Sequence, residues 1–282
     1  MNIPLHFLVL AGLALGAVTT QAQQTVAAPR ADGAITPLVV YEPAAGKTCA
    51  PLALLSHGAG GNERGLRYIG EALARDGWRA IAMGHRESGL TPLRKDIGTA
   101  GFKQGISDLI TDTDAYRARF MDIDAARKWS ESSCHAPFKV LIGHSMGAIT
   151  VMLAAGARNK LGIHAKGGFD AYVALSPEGP GRIFPEGAWQ PVHAPMLLVT
   201  GARDRGLDGD YRWRTLAFDG LGRGCHWLAV IDGATHMNFG GMELAGRVKS
   251  TTTTLIMAYL DGLRGGHCPQ LSAATGVTLR TR

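Results

Sequence analysis

A serine between two glycines, Ser145 in the segment "GHSMG", has the spacing of a catalytic nucleophile. The apolar run at 140–142 predicts a β-strand directly before it, and the largely apolar segment 148–158 predicts a helix directly after it. A serine at such a strand–helix junction is typical of a sharp turn that exposes the hydroxyl. Because a hydroxyl is a poor nucleophile by itself, the chain must also supply a base.

The base and the acid that orients it are predicted in two later loops. His236 follows the predicted strand 225–233, and Asp204 follows the predicted strand 195–201. An imidazole that takes the serine proton needs a carboxylate to hold its orientation. The chain order serine, acid, histidine favours Ser145, Asp204 and His236 as a catalytic triad.

The identity of the acid stays open between several carboxylates. Glu178 follows the strand after the nucleophile, from where an acid can also reach the histidine. Asp208 and Asp210 lie further along the loop that carries Asp204. Asp204 is the favoured position, and Glu178 is the main alternative.

Two backbone N–H groups are predicted to bind the oxyanion of a tetrahedral intermediate. One belongs to Met146, directly after the nucleophile. The other lies in "SHGAGGN", where Ala59 is favoured and Gly60 is the alternative, because glycines allow the backbone to approach a substrate carbonyl. The adjacent His57 and His144 are expected to pack or to form hydrogen bonds rather than to react.

The walls of a substrate cleft are less well defined by the sequence. Met237 stands beside His236, and Trp189 and Gly60 are further candidates, although plain packing explains Trp189 equally well. The segment 86–102 is expected to form another rim. The segment 177–195 is too short for a large helical lid, so we expect an open cleft.

The elements that position these residues alternate between strand and helix. Predicted strands cover 34–41, 51–57, 78–85, 138–145, 171–177, 195–201 and 225–233, and predicted helices cover 65–77, 103–130, 148–158 and 247–265. This alternation predicts an α/β fold with a mostly parallel sheet and helices on both faces. Functional residues then collect beyond the carboxyl ends of the strands. The strand 34–41, which contains Pro37, is expected at the edge of the sheet.

The amino-terminal segment 1–22 resembles a secretory signal peptide. Residues 7–18 are apolar or small, and small residues precede a cleavage site after Ala22. The remaining 23–282 are long enough for a single α/β domain. We therefore expect a periplasmic or secreted protein without stable membrane insertion.

Composition narrows the range of partners. The formal net charge is +6, but the arginines are scattered among acidic residues, so the sequence does not predict nucleic-acid binding. The four cysteines of an exported chain suggest two disulfides, and no pair of them has the spacing of metal ligands. No metal and no cofactor is expected.

Four motifs, "SHGAGG", "GHSMGA", "TGARD" and "DGATH", together resemble the α/β-hydrolase superfamily. Within it, the chain is most similar to secreted bacterial serine esterases of the dienelactone-hydrolase-like type, relatives of platelet-activating-factor acetylhydrolases and cutinases. The resemblance covers roughly 34–265 and implies the α/β-hydrolase fold without a large lid domain. Two positions depart from these relatives: Ala59 replaces an aromatic residue usual in cutinases, and Ser145 replaces the cysteine nucleophile of dienelactone hydrolases.

The usual strand order of this fold also implies how the cysteines pair. The strand before "SHGAGG" and the strand before Ser145 are neighbours, and Cys49 and Cys134 precede them at the same end of the sheet. Cys225 opens the last predicted strand, and Cys268 follows the last helix, which returns to that end. The expected bridges are therefore Cys49–Cys134 and Cys225–Cys268.

The activity that the resemblance implies is hydrolysis of a small-molecule carboxylic ester through an acyl-enzyme. Esters with short to medium acyl chains are the first expectation. Cleavage of peptides or amides, acyl transfer to an alcohol, and a non-catalytic binding role on the same fold are the alternatives.

Overall fold

A single sheet lies at the centre of the protein. The computed structural model describes residues 23–43, 49–165, 167–242 and 246–282, and the predicted signal peptide lies outside these described residues. Its strands are β1 (Gln23–Pro29), β2 (Ile35–Tyr41), β3 (Leu52–Ser56), β4 (Arg79–Met83), β5 (Lys139–His144), β6 (Ala171–Leu175), β7 (Met196–Arg203), β8 (His226–Thr235) and β9 (Val277–Thr281). In the described chain they are ordered β1-β2-β4-β3-β5-β6-β7-β8-β9. Strands β3 to β8 run parallel, whereas β1, β2 and β9 are antiparallel to their neighbours.

Helices cover both faces of this sheet. They are α1 (Arg67–Arg75), α2 (Leu90–Ala100), α3 (Phe102–Thr111), α4 (Thr113–Glu131), α5 (Met146–Ala154), α6 (Tyr211–Asp219), α7 (His236–Phe239) and α8 (Arg247–Arg264). The apolar core on one face includes side chains of α4, α5 and α6, and the core on the other face includes side chains of α1 and α8. None of the helices among the described residues is long and apolar enough to cross a membrane.

Strand β3 illustrates why the central strands read as continuous apolar runs. Leu52 and Leu54 belong to one core, and Ala53 and Leu55 belong to the other, with each side chain at most 1% exposed. A strand covered on both faces needs apolar residues at every position. The predicted mostly parallel sheet with helices on both faces is confirmed.

The edges of the sheet differ from the prediction. The segment 34–41 is not an edge strand, because β1 pairs with β2 along its full length, and β9 covers the opposite edge beside β8. Pro37 is tolerated in β2 because the ladder with β4 begins only at Leu38. Neither β1 nor β9 has the apolar run of a central strand, because each packs mainly one face, and sequence analysis therefore missed both strands.

The predicted helical region 103–130 is two helices rather than one. Asp112 separates α3 from α4, and its carboxylate accepts hydrogen bonds from the N–H groups of Asp114 and Ala115 at the start of α4. The preceding segment, expected as a cleft rim, contains α2.

Both expected disulfides are present. Cys49–Cys134 has a Cα–Cα distance of 5.6 Å, and Cys225–Cys268 one of 5.5 Å. The first bridge depends on β3 and β5 being neighbours, and the register of these strands begins with Leu52 opposite Lys139. Both bridges lie at the amino ends of the parallel strands, opposite the edge where catalytic loops are expected.

Candidate active site

Ser145 occupies a strained turn between β5 and α5. Its φ of 56° and ψ of −119° lie in a region that non-glycine residues rarely adopt. A Cβ on Gly143 would overlap the backbone of Gly147, and a Cβ on Gly147 would overlap the carbonyl of Ser56. The two flanking glycines are therefore required by the close approach of backbone segments around the serine.

The structure brings the three predicted triad residues into one hydrogen-bonded chain. The Oγ atom of Ser145 lies 2.9 Å from Nε2 of His236, and Nδ1 of His236 lies 2.9 Å from Oδ1 of Asp204. Nδ1–H donates to the carboxylate, which leaves Nε2 free to accept the serine proton. The Asp204 side chain is fully buried, whereas 27% of the His236 side chain is exposed.

Asp204 is held as a carboxylate by its surroundings. Thr200 donates a hydrogen bond from Oγ1 to Oδ2 at 3.0 Å, and Nε of Arg214 lies 2.9 Å from Oδ1. Burial alone would raise the pKa of Asp204, but the hydrogen bond from His236 and the charge of Arg214 outweigh it, so the pKa lies below its ordinary value. The group is ionised at neutral pH and can orient the imidazole.

The alternative acids have other partners. Glu178 lies 3.7 Å from Nη1 of Arg214, and burial raises its pKa to about 7. Asp208 pairs with Arg182, and Asp210 caps α6 by accepting from the N–H of Arg212. Of the carboxylates weighed from the sequence, Asp204 is the one that contacts the histidine.

Arg214, in α6, was not identified from the sequence. Its guanidinium lies between Asp204 and Glu178, with Nη2 3.2 Å from Nδ1 of His236. Nη1 also donates to the carbonyl of Pro177, so the same side chain ties the loops after β6 and β7 together. Arg214 shares the buried face of its helix with Ala217 and Phe218, and this position in the helical pattern was the available signal.

Two backbone N–H groups near Ser145 are unengaged. Met146 is the first residue of α5, and neither its N–H nor that of Ala59 donates to another described residue. The alternative donor Gly60 differs, because its N–H donates to the carbonyl of Ser88 at 2.9 Å. Ala59 and Met146 therefore remain as the candidate oxyanion donors, and Gly60 does not.

Solved structures with this arrangement of strands and helices are numerous. A protein from Klebsiella pneumoniae, provisionally assigned as a dienelactone hydrolase, is 17% identical with a TM-score of 0.61, covering 85% of this chain and 97% of that one. This chain has the α/β-hydrolase fold. Est1E from Butyrivibrio proteoclasticus is 16% identical with a TM-score of 0.55, and the match covers 83% of this chain and 97% of that one.

An esterase from Pyrococcus furiosus also shares the α/β-hydrolase fold. It is 15% identical with a TM-score of 0.54, and the match covers 84% of this chain and 92% of the esterase. No family model matches the chain, and no curated protein sequence is similar to it. Likeness at these identities concerns the fold, and the chemistry of this chain follows from its own residues.

A small cavity opens in front of Ser145. Its volume is about 230 Å³, and its lining includes Ser145, Gly60, Leu66 and Met237. Met237, a candidate cleft residue from the sequence, is 50% exposed and lies in the lining of this cavity. A larger cavity of about 670 Å³ adjoins it at Gly61 and reaches the segment 86–92, part of the predicted rim.

Trp189 does not line this cavity, and of the two roles that the sequence leaves open for it, the structure shows packing. Its side chain is 1% exposed, its Nε1 donates to Sδ of Met152, and its ring lies 5.3 Å from that of Phe184. The ring of Trp189 is therefore buried against α5 and does not lie at the carboxyl ends of the strands.

The histidines adjacent to the site form hydrogen bonds. Nε2 of His144 donates to the carbonyl of His236 at 2.9 Å, and burial lowers the pKa of His144 to about 3. Nδ1 of His57 donates to the carbonyl of Gly58, and Nε2 accepts from the N–H of His85. Both rings are neutral and help to hold the loops that carry His236 and Ala59.

A second Ser–His–Asp chain lies buried beneath the "SHGAGG" loop. Oγ of Ser56 lies 2.9 Å from Nε2 of His85, and Nδ1 of His85 lies 2.8 Å from Oδ2 of Asp122. Asp122 also accepts from Thr36 and Arg30, and burial raises its pKa to about 6. Sequence analysis missed this chain because its members come from three distant segments.

Proposed function

We propose that this protein is a serine hydrolase that cleaves carboxylic esters. The observation that carries the proposal is the chain Ser145–His236–Asp204, which starts at a strained, cavity-facing serine. Two unengaged N–H groups flank the same serine, as acyl transfer requires. The predicted signal peptide and the two disulfides favour a periplasmic or secreted location.

In the proposed mechanism, Oγ of Ser145 attacks the ester carbonyl carbon while Nε2 of His236 takes the hydroxyl proton. The N–H groups of Ala59 and Met146 bind the resulting oxyanion, and Asp204 stabilises the imidazolium. Collapse of the intermediate breaks the bond to the alcohol, which leaves with the proton from His236. Water, activated by His236, then attacks the acyl-enzyme and releases the acid.

The cavity favours a short acyl group. A volume of about 230 Å³, lined largely by glycine backbone with Leu66 and Met237, accommodates a small apolar group beside Ser145. The adjoining cavity of about 670 Å³ is lined by charged residues that include Arg86 and Glu87, which suits a polar portion of the substrate. One structural neighbour, Est1E, has been solved with ferulic acid bound, so aromatic acyl esters belong among the test substrates.

The test is hydrolysis of p-nitrophenyl esters with acyl chains from acetyl to dodecanoyl, with Ser145→Ala as the matched control. We expect activity that falls with chain length and is absent in the variant. Turnover of peptide or amide substrates in preference to esters, or ester exchange in the presence of an alcohol, would redirect the proposal to the corresponding alternative. Absence of both hydrolysis and labelling by a fluorophosphonate would indicate a binding role instead.

A further inference from the structure

The loop that carries Ala59 rests on a buried arginine of α4. Nη1 of Arg119 donates to the carbonyl of His57 at 2.8 Å and to Oγ of Ser56 at 3.1 Å, and Nε donates to Oγ of Ser88 at 2.9 Å. Arg119 is fully buried, with 0% of its surface exposed. One planar guanidinium therefore holds the end of β3, the start of the loop, and the turn after β4.

Ser88 extends this hold to the other side of Ala59. Its carbonyl accepts the N–H of Gly60 at 2.9 Å, while its hydroxyl accepts from Arg119. The backbone is thus fixed at His57, before Ala59, and at Gly60, after it. The Ala59 N–H lies between the two fixed points and donates to no other group among the described residues.

The partners of Arg119 are unusual for a buried cation. All three oxygen acceptors are neutral, and no direct ion pair with Arg119 occurs among the described residues. Burial lowers its pKa to about 10, so it is still a cation at neutral pH. A buried charge without a carboxylate partner is costly to the fold, and a role limited to stability would be served better by an apolar side chain.

We propose that Arg119 is a positioning residue that fixes the 57–61 loop so that the Ala59 N–H stays directed at the oxyanion. The inference rests on the proposed ester hydrolysis, which supplies that oxyanion. Arg119 does not touch substrate; it acts through His57 and Ser88. Preorganised donors stabilise a transition state because no reorganisation is needed during the reaction, and a guanidinium can hold several acceptors at fixed angles where an ammonium cannot.

The first test compares Arg119→Met and Arg119→Lys with Tyr116→Phe. Tyr116 lies one turn earlier in α4, is equally buried, and donates to the carbonyl of Ile110, away from the loop. We expect kcat to fall by about 10- to 100-fold in both Arg119 variants with little change in KM. The Lys variant should not rescue kcat, and Tyr116→Phe should lower the melting temperature without lowering kcat.

Ser88→Ala provides a variant that keeps the Arg119 side chain itself. It removes the hydroxyl that accepts from Nε of Arg119 but keeps the carbonyl that accepts from Gly60. We expect a smaller loss of kcat in the same direction. If the Arg119 variants fail to fold, this variant decides the question.

Two further measurements separate positioning from general destabilisation. Affinity for a trifluoromethyl ketone, which forms a hemiketal oxyanion on Ser145, should fall in proportion to kcat/KM. Amide hydrogen exchange of a peptide containing 57–61 should be faster in Arg119→Met than in Tyr116→Phe. The exchange measurement does not depend on catalytic turnover. If the wild-type protein hydrolysed no ester, the proposed function would be refuted, but the exchange rates would still show whether Arg119 holds the 57–61 loop.

The positioning role would be overturned by one pattern of results. If Arg119→Met, Ser88→Ala and Tyr116→Phe all kept wild-type kcat and ketone affinity, and if exchange of 57–61 were unchanged, Arg119 would be a structural residue only.

Discussion

Two Ser–His–Asp chains with nearly the same distances lie within one protein. In the exposed chain, the Ser145–His236 and His236–Asp204 contacts are both 2.9 Å. In the buried chain, Ser56 and His85 are 2.9 Å apart, and the His85–Asp122 contact is 2.8 Å. In both, Nε2 faces the serine and Nδ1 faces the carboxylate.

The surroundings of the two serines differ. Ser145 is partly exposed, has a positive φ and faces a cavity with two unengaged N–H groups. Ser56 ends a regular strand, is 0% exposed, and accepts a hydrogen bond from Arg119. The acids are similarly buried, so burial of the acid does not distinguish the chains.

The comparison shows that hydrogen-bond connectivity alone does not define a catalytic triad. A reactive serine also needs room for a substrate and donors for the charge that develops on it. Ser56 is 0% exposed, which leaves no room for a substrate, and the hydrogen bonds of the buried chain instead join the end of β3 and the turn after β4 to α4. The following three predictions test this division of roles.

The largest contrast is expected between the serines. Ser145→Ala should lower kcat for ester hydrolysis by at least about 10⁴-fold, because the nucleophile is lost. Ser56→Ala should lower it by less than about tenfold, because Arg119 keeps its bonds to His57 and Ser88. Steady-state kinetics and fluorophosphonate labelling measure both effects. Loss of labelling in a folded Ser56→Ala protein would contradict the assignment of the reactive serine.

Substitution of the two aspartates is expected to have different effects, with Asp204 affecting activity and Asp122 affecting stability. Asp204→Asn should lower kcat by about 10⁴-fold, because the imidazole loses its orientation. Asp122→Asn should retain most activity but lower the melting temperature by about 10 °C, because Arg30 and His85 lose a buried charged partner. Kinetics and thermal unfolding of both variants check this. Equal losses of activity would show that the buried chain takes part in the reaction.

The smallest effect concerns Glu178, the acid that the sequence offered as an alternative to Asp204. Its pKa is raised from 4.5 to about 7 by burial, so the folded state keeps this proton to a higher pH than the unfolded state. The contribution of Glu178 to the free energy of unfolding is therefore fully present below pH 4.5 and is lost as the pH rises through 7. The free energy of unfolding falls by about 3 kcal/mol over this range.

Glu178→Gln should remove this pH-dependent loss and leave ester hydrolysis largely intact. The measurement is the free energy of unfolding in urea at pH 5 and pH 8, for wild type and variant. A variant whose stability falls as steeply as that of wild type would exclude Glu178 as the source. A variant without hydrolytic activity would return Glu178 to the candidate acids.

The features predicted from the sequence were those encoded in short segments with a clear chain order. The turn at Ser145 has its own glycine pattern, and the loops of Asp204 and His236 follow apolar strands, so the three could be placed at one edge of the sheet. The two disulfides followed from the strand order that the resemblance implied.

The features that sequence analysis missed depend on contacts between distant segments. Arg119 and Asp122 occupy the buried stripe of a helix, where the pattern predicts apolar residues, and nothing local reveals their partners at His85 and Ser56. Trp189 was ambiguous because a large ring in a connecting segment can cover either a cleft or a helix. Its neighbours Met152 and Phe184 decide this, and they are known only from the fold.

The two disulfides have a consequence for how the protein loses activity. Cys49–Cys134 and Cys225–Cys268 link the amino ends of the strands covalently, whereas the loops at the carboxyl ends are held among the described residues by hydrogen bonds, ion pairs and packing, without a disulfide. Mild denaturation is therefore expected to loosen the loops at the carboxyl ends of the strands first. The disulfide-linked amino ends would still hold the sheet together. Inactivation would then precede unfolding, and removal of the denaturant would restore the site without reassembly of the sheet.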